Sequence, residues 1–276
     1  MTHSNLSSLS VLESRDLLLK KEISSLDLTT SCLDQIEQKE PELKSFVTVL
    51  RDDAIESAKR ADLAIAKDSK DPLLGIPLAL KDNFLTLGQR TTASSKVLDQ
   101  FMPPYDSTVV KKLKEAGAVI IGKTNMDAWA HGSSTETSDY GPTHNPWDPS
   151  RLPGGSSGGS AAAIAANETI GAIGSETAGS IRQPASWCGI VGMKPTYGRV
   201  SRYGVVAMGS SLDSPGPMTK TVADSAYLLN IIAGHDPKDA TSSSLPVPDY
   251  YHNLSRKIKD LKIGLPKEYF EIEWCI

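Results

Sequence analysis

Cysteine, aromatic residues and long apolar runs are all scarce in this sequence. The 276 residues include only three cysteines and 6% aromatic residues. Cys32, Cys188 and Cys275 lie far apart and form no CxxC pair. We therefore expect neither a disulfide framework nor a bound metal, and a reducing compartment fits best.

The chain also lacks an excess of positive charge and any membrane-spanning segment. With 29 basic and 33 acidic residues, the net charge is -4. This balance argues against a broad nucleic-acid-binding face, although a local patch or an RNA-binding partner stays open. The apolar run Ala161–Ala166 is far too short for a bilayer, and the start, MTHSNLSSLS, shows no signal-peptide pattern. We expect a cytoplasmic protein with no membrane contact.

Alternating helical and strand patterns predict an α/β fold with a mixed central sheet and helices on both faces. Helical spacing of apolar residues runs through 10–40, with Ser25 at the cap of the second half, and inward-facing alanines mark 53–66. Further helices are predicted over 107–116, 158–167 and 221–233. Short apolar runs predict strands over 45–50, 75–80, 118–122 and 261–265, and prolines mark 139–155 as a loop.

Glycine points to the functional region, because eleven of the 21 glycines lie between Gly154 and Gly204. Glycine is used where the backbone turns sharply or approaches something closely. This stretch contains LPGGSSGGSAAA (152–163), with Ser156, and GSETAGSIRQPASWCGIVGMKPT (174–196), with Ser180. Upstream, GIPLALKDN (75–83) places Lys81 directly after an apolar strand.

These residue types suit nucleophilic attack on an amide. A serine hydroxyl needs a base, and the five histidines share no motif with a serine. A lysine can substitute if burial lowers its pKa, as the context of Lys81 favours, and a second serine can carry the proton. Main-chain N–H groups of Thr177, Ala178 and Gly179 beside Ser180 are candidate oxyanion donors.

Simpler interpretations fit these motifs less well. Gly/Ser-rich segments can be flexible linkers, but linkers are not followed by helix and strand patterns. GGSSGGS is not a phosphate-binding P-loop, because no lysine follows Gly159. Lys81 taken alone would be an ordinary solvated lysine, and only the joint pattern reverses that interpretation.

Together, PLALKDN, GGSSGGSAAA and GSIRQPA resemble the amidase signature family. The resemblance implies that Lys81 is the base, that Ser156 is a bridging serine after a cis peptide bond, and that Ser180 is the nucleophile.

Three longer segments, 124–138, 191–207 and 210–219, look like the A subunits of glutamyl-tRNA(Gln) amidotransferases. This resemblance implies that glutamine is hydrolysed to glutamate and ammonia. The B subunit would use ATP and Mg²⁺ to amidate Glu-tRNA(Gln) or Asp-tRNA(Asn), and the C subunit would complete a heterotrimer. No cofactor is expected in this chain.

The sequence departs from the family pattern at several positions. Asp-Thr-Gly-Gly-Ser is replaced by Glu176 to Ser180, and Ala178 would strain the loop if its φ had to be positive. His131 stands in place of a methionine at the edge of the acyl pocket, where it is a candidate substrate-binding residue. Members of the family extend beyond residue 276, with further strands and the groups that clamp glutamine.

We therefore expect one partial domain over 1–276, with a helical segment (1–70), a catalytic core (71–235), and a loop and strand (236–276) that enter an absent C-terminal part. The alternatives are a stand-alone amidase for another small amide and an inactive truncated fragment. Glu176 and Arg182 form either an ion pair that orients the loop or two surface charges. His131 is expected to be partly buried, Cys188 buried, and Trp129, Trp147 and Trp187 to serve packing.

Overall fold

The computed structural model describes residues 3–255, 262 and 264–267. These residues form seven α-helices and six strands, with short 3-10 helices between them. The helices are α1 (Val11–Leu19), α2 (Ser25–Leu43), α3 (Arg51–Ala66), α4 (Thr108–Glu115), α5 (Gly158–Ala165), α6 (Arg182–Cys188) and α7 (Val222–Ile232). The strands are β1 (Phe46–Val49), β2 (Pro77–Lys81), β3 (Val119–Thr124), β4 (Gly171–Glu176), β5 (Val191–Gly192) and β6 (Ser214–Thr219).

The strands form one mixed sheet in the order β1-β3-β2-β4-β6-β5. The central strands β3, β2 and β4 are parallel, whereas β1, β6 and β5 join antiparallel. Every residue of β2, β3, β4 and β6 is buried, as expected for strands covered on both faces. The predicted α/β class with a mixed central sheet is confirmed.

The helical pattern over 10–40 divides into α1 and α2, because the chain turns at Lys21, which has a φ of 59°. The prediction that Ser25 caps α2 is wrong by one residue. The hydroxyl of Ser24 accepts the main-chain N–H of Asp27 at 2.9 Å. The hydroxyl of Ser25 instead donates to the carbonyl oxygen of Gly75 at 2.8 Å.

Helix α5 packs closely against the sheet, as its small residues predict. Seven of its eight residues are buried. At Gly159, an added Cβ would lie 2.4 Å from the carbonyl oxygens of both Asn125 and Ser45. Only glycine permits this approach of three main-chain segments.

The predicted helices over 53–66, 107–116 and 221–233 correspond to α3, α4 and α7, and buried Ala54, Ala58 and Ala61 confirm the inward face of α3. Strand β5 lies within the strand pattern of GIVGMKPT (189–196), whereas strands β4 and β6 and helix α6 have no counterpart among the predictions. The predicted strand over 261–265 falls where only positions 262, 264 and 265 are described. Within the described residues, no helix is both long enough and apolar enough to span a membrane.

Candidate active site

Lys81 ends β2 with its side chain completely buried. Its Nζ atom lies 2.7 Å from Ser156 Oγ and 3.1 Å from the carbonyl oxygen of Ser175. No carboxylate among the described residues forms a salt bridge with this amine. Strand β2 therefore places a lysine in the interior, and the side-chain partner of this lysine is a hydroxyl and not a counter-ion.

This environment perturbs the amine strongly. Burial lowers the pKa of Lys81 from 10.5 to about 7, while the charges of Asp127, Asp213 and Glu176 act in the opposite direction. Desolvation disfavours the charged form of a lysine. At neutral pH, the neutral amine is therefore a substantial population that can accept a proton.

Ser156 lies in the turn before α5, directly after a cis peptide bond between Gly155 and Ser156. Its side chain is also completely buried. The carbonyl oxygen of Ser156 accepts the N–H of Asp127 at 3.2 Å, and the hydroxyl of Thr135 donates to the carbonyl oxygen of Gly154 at 2.7 Å. The turn is thus held from the segment that follows β3.

Ser180 lies in the turn between β4 and α6. Its carbonyl oxygen accepts the N–H of Ser157 at 3.1 Å, which joins this turn to the one that contains Ser156. Ser180 is 7% exposed, whereas Lys81 and Ser156 are both 0% exposed. Of the three predicted residues, only the predicted nucleophile reaches the surface.

Gln183 links the same two turns, although no sequence pattern predicts this. Its Oε1 atom accepts the N–H of Gly155 at 2.9 Å, and its main-chain N–H donates to the carbonyl oxygen of Gly179 at 2.8 Å. The only signal in the sequence is its position three residues after Ser180.

Glu176 organises the turn that carries Ser180. Its carboxylate accepts the N–H groups of Gly179, Ile181 and Arg182 at 2.9, 3.1 and 3.0 Å, and it pairs with the Arg182 guanidinium. Burial alone raises the pKa of Glu176, but the hydrogen bonds from Arg182 and the main chain lower it overall. Of the two alternatives for Glu176 and Arg182, the structure shows the ion pair.

The same contacts correct one predicted oxyanion donor. The N–H of Gly179 is already donated to Glu176, so it points to a carboxylate and is not available to a substrate. Within the described residues, the N–H groups of Thr177 and Ala178 have no hydrogen-bond partner. The positive φ of this turn, 107°, falls on Gly179 and not on Ala178. The alanine is therefore accommodated without backbone strain.

Two buried aspartates near the site were not predicted. Asp127 accepts the N–H of Ser134 at 3.2 Å, and its own N–H binds Ser156. Asp213 accepts the hydroxyl of Thr177 at 2.5 Å and the N–H of Met208 at 3.0 Å. Both come from loops, where periodicity gives no signal.

A second buried lysine lies on the strand next to β2. Lys123 is 0% exposed, and its Nζ is 3.4 Å from Asp82 Oδ1 and 2.7 Å from the carbonyl oxygen of Phe84. Burial lowers the pKa of Lys123, and Asp82 opposes that change. Unlike Lys81, this lysine has a carboxylate partner.

His131 is exposed, so the expectation that it is partly buried is wrong. Its Nδ1 atom lies 2.9 Å from the carbonyl oxygen of Trp129 in its own loop. The hydrogen bond of this ring is therefore local and does not reach the side chains of Lys81 or Ser156.

Trp147 and Trp187 are 70% and 49% exposed, which contradicts the packing role expected for them, while Trp129 is half-buried. The exposure of such side chains depends on tertiary packing, which sequence patterns do not predict. Cys188 is buried, as predicted, and burial raises the pKa of its thiol to about 12. Among the described residues, no group of three or more His, Cys, Asp or Glu side chains could hold a metal ion.

The structure combines a mixed sheet, a buried lysine at the end of β2, and a serine that follows a cis peptide bond and contacts this lysine. This combination is the one expected of an amidase-type site. The family model for Amidase matches residues 27–274. The chain belongs to this amidase family.

The particular relatives are more specific. The chain is 56% identical over 264 residues to the A subunit of glutamyl-tRNA(Gln) amidotransferase from Desulfatibacillum aliphaticivorans, covering 96% of this chain and 54% of that protein. Among solved structures, it is similar to the corresponding A subunit from Thermotoga maritima, with a TM-score of 0.70 and 46% identity over 90% of this chain and 50% of that one. It is also similar to the peptide amidase from Stenotrophomonas maltophilia, with a TM-score of 0.82 and 38% identity over 89% and 52% of the two chains. The chain thus spans about half the length of these relatives.

Proposed function

We propose that this chain carries the amide-hydrolysing centre of the A subunit of a glutamine-dependent aminoacyl-tRNA amidotransferase. The observation that carries the proposal is the completely buried Lys81 amine, 2.7 Å from Ser156 Oγ, with burial lowering its pKa to about 7. A surface lysine would be protonated at neutral pH and could not act as a base.

The order of the proposed relay rests on two observations: Lys81 Nζ contacts Ser156 Oγ, and Ser180 alone of the three is partly exposed. The neutral Lys81 amine accepts the proton of Ser156, which accepts the proton of Ser180. Ser180 then attacks the side-chain amide carbon of glutamine, which gives a tetrahedral intermediate. The proton returns through Ser156 to the leaving nitrogen, ammonia departs, and water hydrolyses the acyl-enzyme to glutamate.

The oxyanion would be held by the N–H groups of Thr177 and Ala178. These donors are preorganised, because Asp213 binds the Thr177 hydroxyl and Glu176 binds the N–H that follows Ala178. Preorganised donors stabilise charge that develops in the transition state without further rearrangement. His131 remains proposed as a substrate-binding residue at the edge of the acyl pocket, and its side chain is exposed.

The proposed partners follow from the resemblance to A subunits. The B subunit would use the ammonia, ATP and Mg²⁺ to amidate Glu-tRNA(Gln) or Asp-tRNA(Asn), and the C subunit would complete a cytoplasmic heterotrimer. No metal or organic cofactor takes part in the proposed hydrolysis. We also propose that residues 71–235 form the catalytic core, since they contain all three relay residues.

A fluorophosphonate probe tests the chemistry directly, because it reacts with an activated serine and does not need the glutamine-binding groups. The wild-type chain should be labelled, whereas Ser180→Ala, Ser156→Ala and Lys81→Met should not. Ser157→Ala is the matched control, since it lies beside Ser156 but outside the relay. Equally poor labelling of wild type and Ser180→Ala would show an inactive fragment instead.

The similarity to a peptide amidase favours one second candidate, a stand-alone amidase for another small amide. Ammonia release from glutamine, measured with and without added B subunit, separates the two functions. Release that depends on the B subunit supports the amidotransferase. Hydrolysis of other amides at the same rate with and without the B subunit supports the stand-alone enzyme.

A further inference from the structure

Two glutamates converge on one serine at a junction of four elements. Ser45, between α2 and β1, places its Oγ atom 2.7 Å from Glu40 Oε2 and 2.5 Å from Glu168 Oε2. Glu40 comes from α2, and Glu168 from the connection between α5 and β4. Ser45 and Glu168 are both 0% exposed.

The number of protons in this cluster is constrained by its geometry. Ser45 has one hydroxyl proton, and it can donate that proton to only one carboxylate. The second pair of oxygens is equally close and needs a proton of its own, because two unprotonated oxygens at this distance repel each other. One of the two glutamates is therefore a neutral carboxylic acid that donates to Ser45.

The surroundings identify Glu168 as the neutral one. Glu40 also accepts two main-chain N–H groups, from Ser45 at 3.0 Å and Phe46 at 2.9 Å, which stabilise a negative charge. Glu168 receives no such donor from the described residues, and its Oε1 atom is buried without any hydrogen-bond partner among them. A buried carboxylate with so little support is strongly disfavoured relative to the acid.

We propose that Glu168 is a neutral acid whose proton ties the connection between α5 and β4 to the junction of α2 and β1, and that rising pH breaks this link. The proposal concerns a site separate from the proposed relay and does not depend on it. Glu168 acts through Ser45, by holding these two segments of the chain together.

The electrostatics of the cluster support this assignment. Burial, which is the largest cause, and the charge of Glu40 raise the pKa of Glu168 to about 8, against the Ser45 hydrogen bond and the charge of Lys39. Burial also raises the pKa of Glu40, but the Phe46 N–H and Ser45 oppose that rise. The adjoining elements α5 and β1 contain no charged residue. If Glu168 carried a negative charge beside Glu40, Lys39 would be the only cation among these groups to compensate it.

The link reaches main-chain contacts next to the candidate active site. The carbonyl oxygen of Ser45 accepts the N–H of Asn125 at 2.7 Å, and the carbonyl oxygen of Asn125 accepts the N–H of Gly159 at 3.1 Å. Gly159 lies in the first turn of α5, three residues after Ser156. The Ser45 side chain, held by both glutamates, is thus two main-chain hydrogen bonds from that turn.

Denaturant unfolding of the chain between about pH 5 and about pH 9 tests the proposal, with Glu168→Gln as the main variant. A glutamine keeps the size of the neutral acid and an N–H donor for Ser45, and it cannot ionise. Between the ordinary glutamate pKa of about 4.3 and about 8, the folded state holds one proton that the unfolded state has lost. The unfolding equilibrium constant of wild type should therefore rise by up to about tenfold per pH unit relative to Glu168→Gln.

Glu40→Gln is the matched control, since it removes a carboxylate from the same serine. It should be destabilised, and it should keep a pH dependence that ends at a lower pH than in wild type, because the charge of Glu40 raises the pKa of Glu168. Infrared spectra should show a protonated carboxylic-acid band in wild type near pH 6 that Glu168→Gln lacks and Glu40→Gln retains. If a variant does not fold, the absence of this band from wild type near pH 6 would still overturn the proposal. Equal pH slopes for wild type and Glu168→Gln, or loss of the band in Glu40→Gln instead, would overturn the assignment.

Discussion

Replacing Lys81 by methionine should make the fold more stable while it removes the proposed base. Methionine has nearly the length of lysine and can occupy the same buried path at the end of β2. It does not carry a charge that must be taken out of water. The size of the effect follows from the burial of this one group.

A lowering of the Lys81 pKa from 10.5 to about 7 corresponds to about 5 kcal/mol of destabilisation of the folded state at low pH. Methionine would leave Ser156 Oγ without its partner, at a cost of about 1–3 kcal/mol. The carbonyl oxygen of Ser175 keeps a second donor, the Ser157 hydroxyl at 3.2 Å. The expected net gain is therefore about 2–4 kcal/mol at or below pH 7.

The sign of the pH dependence follows from proton binding. Between about pH 7 and pH 10.5, the unfolded chain binds a proton at Lys81 that the folded chain does not, so wild-type stability rises with pH. The advantage of Lys81→Met should therefore shrink across this window and reverse before its upper end, because the cost at Ser156 remains when the pKa difference no longer contributes. Urea unfolding at several pH values, with slopes checked for two-state behaviour, measures it.

Lys123→Met is the matched control, because this lysine is equally buried but lies 3.4 Å from Asp82. Its loss leaves the aspartate charge buried without a cation, which should destabilise the fold by about 3–5 kcal/mol. The two substitutions should thus have opposite signs. If Lys81→Met is as destabilising as Lys123→Met at pH 7, the account of an uncompensated, largely neutral amine is refuted.

Three further outcomes are expected. Probe labelling of Ser180 should rise with pH and level off above about 7, because only the neutral Lys81 accepts a proton; a flat profile would contradict this. Glu176→Gln should slow labelling about ten- to hundredfold, because it weakens charged hydrogen bonds to the turn. It should also move the rise in labelling to lower pH, because the charge of Glu176 raises the Lys81 pKa in wild type. An unchanged midpoint of the pH profile would argue against that coupling. Gly159→Ala should lower stability by about 1–3 kcal/mol, since its Cβ would lie 2.4 Å from two carbonyl oxygens; Gly171→Ala, which meets a side chain first at 3.2 Å, is the control in thermal melts.

The strand before Lys81 could be predicted because its residues form a short apolar run that ends at a polar segment, as expected for a strand buried on both faces. The same reasoning fails for β4, whose sequence, GAIGSE, has two glycines and weak strand propensity. Tertiary packing explains them: a Cβ on Gly174 would lie 2.8 Å from Met218 Sδ. The glycines were a correct signal of close approach, but they concealed the strand.

Strand β6 was hidden by its prolines, since SPGPMT does not suggest an internal strand. Pro217 accepts the N–H of Met193 through its carbonyl oxygen, so its nitrogen faces the same side, toward β5. Pro215, two residues earlier, faces that side as well. Strand β5 has only two residues, Val191 and Gly192, so few hydrogen bonds are lost there.

Within the candidate site, local motifs located the lysine and both serines but not the carboxylates around them. Asp127 and Asp213 come from irregular segments whose positions depend on the whole fold. Their effect on Lys81 is electrostatic and acts through space, so no spacing in the sequence predicts it. Exposure of Trp147 and Trp187 was unpredictable for a related reason, because it depends on tertiary packing.

The division of labour between two neighbouring residues has an evolutionary consequence. The left-handed backbone falls on Gly179 alone, while Ala178 adopts a conformation open to any L-amino acid. In a family alignment or a randomised library, position 178 should therefore vary among small side chains, whereas position 179 should remain glycine. A chain that differs from its relatives only at the first of these two positions need not have lost its activity.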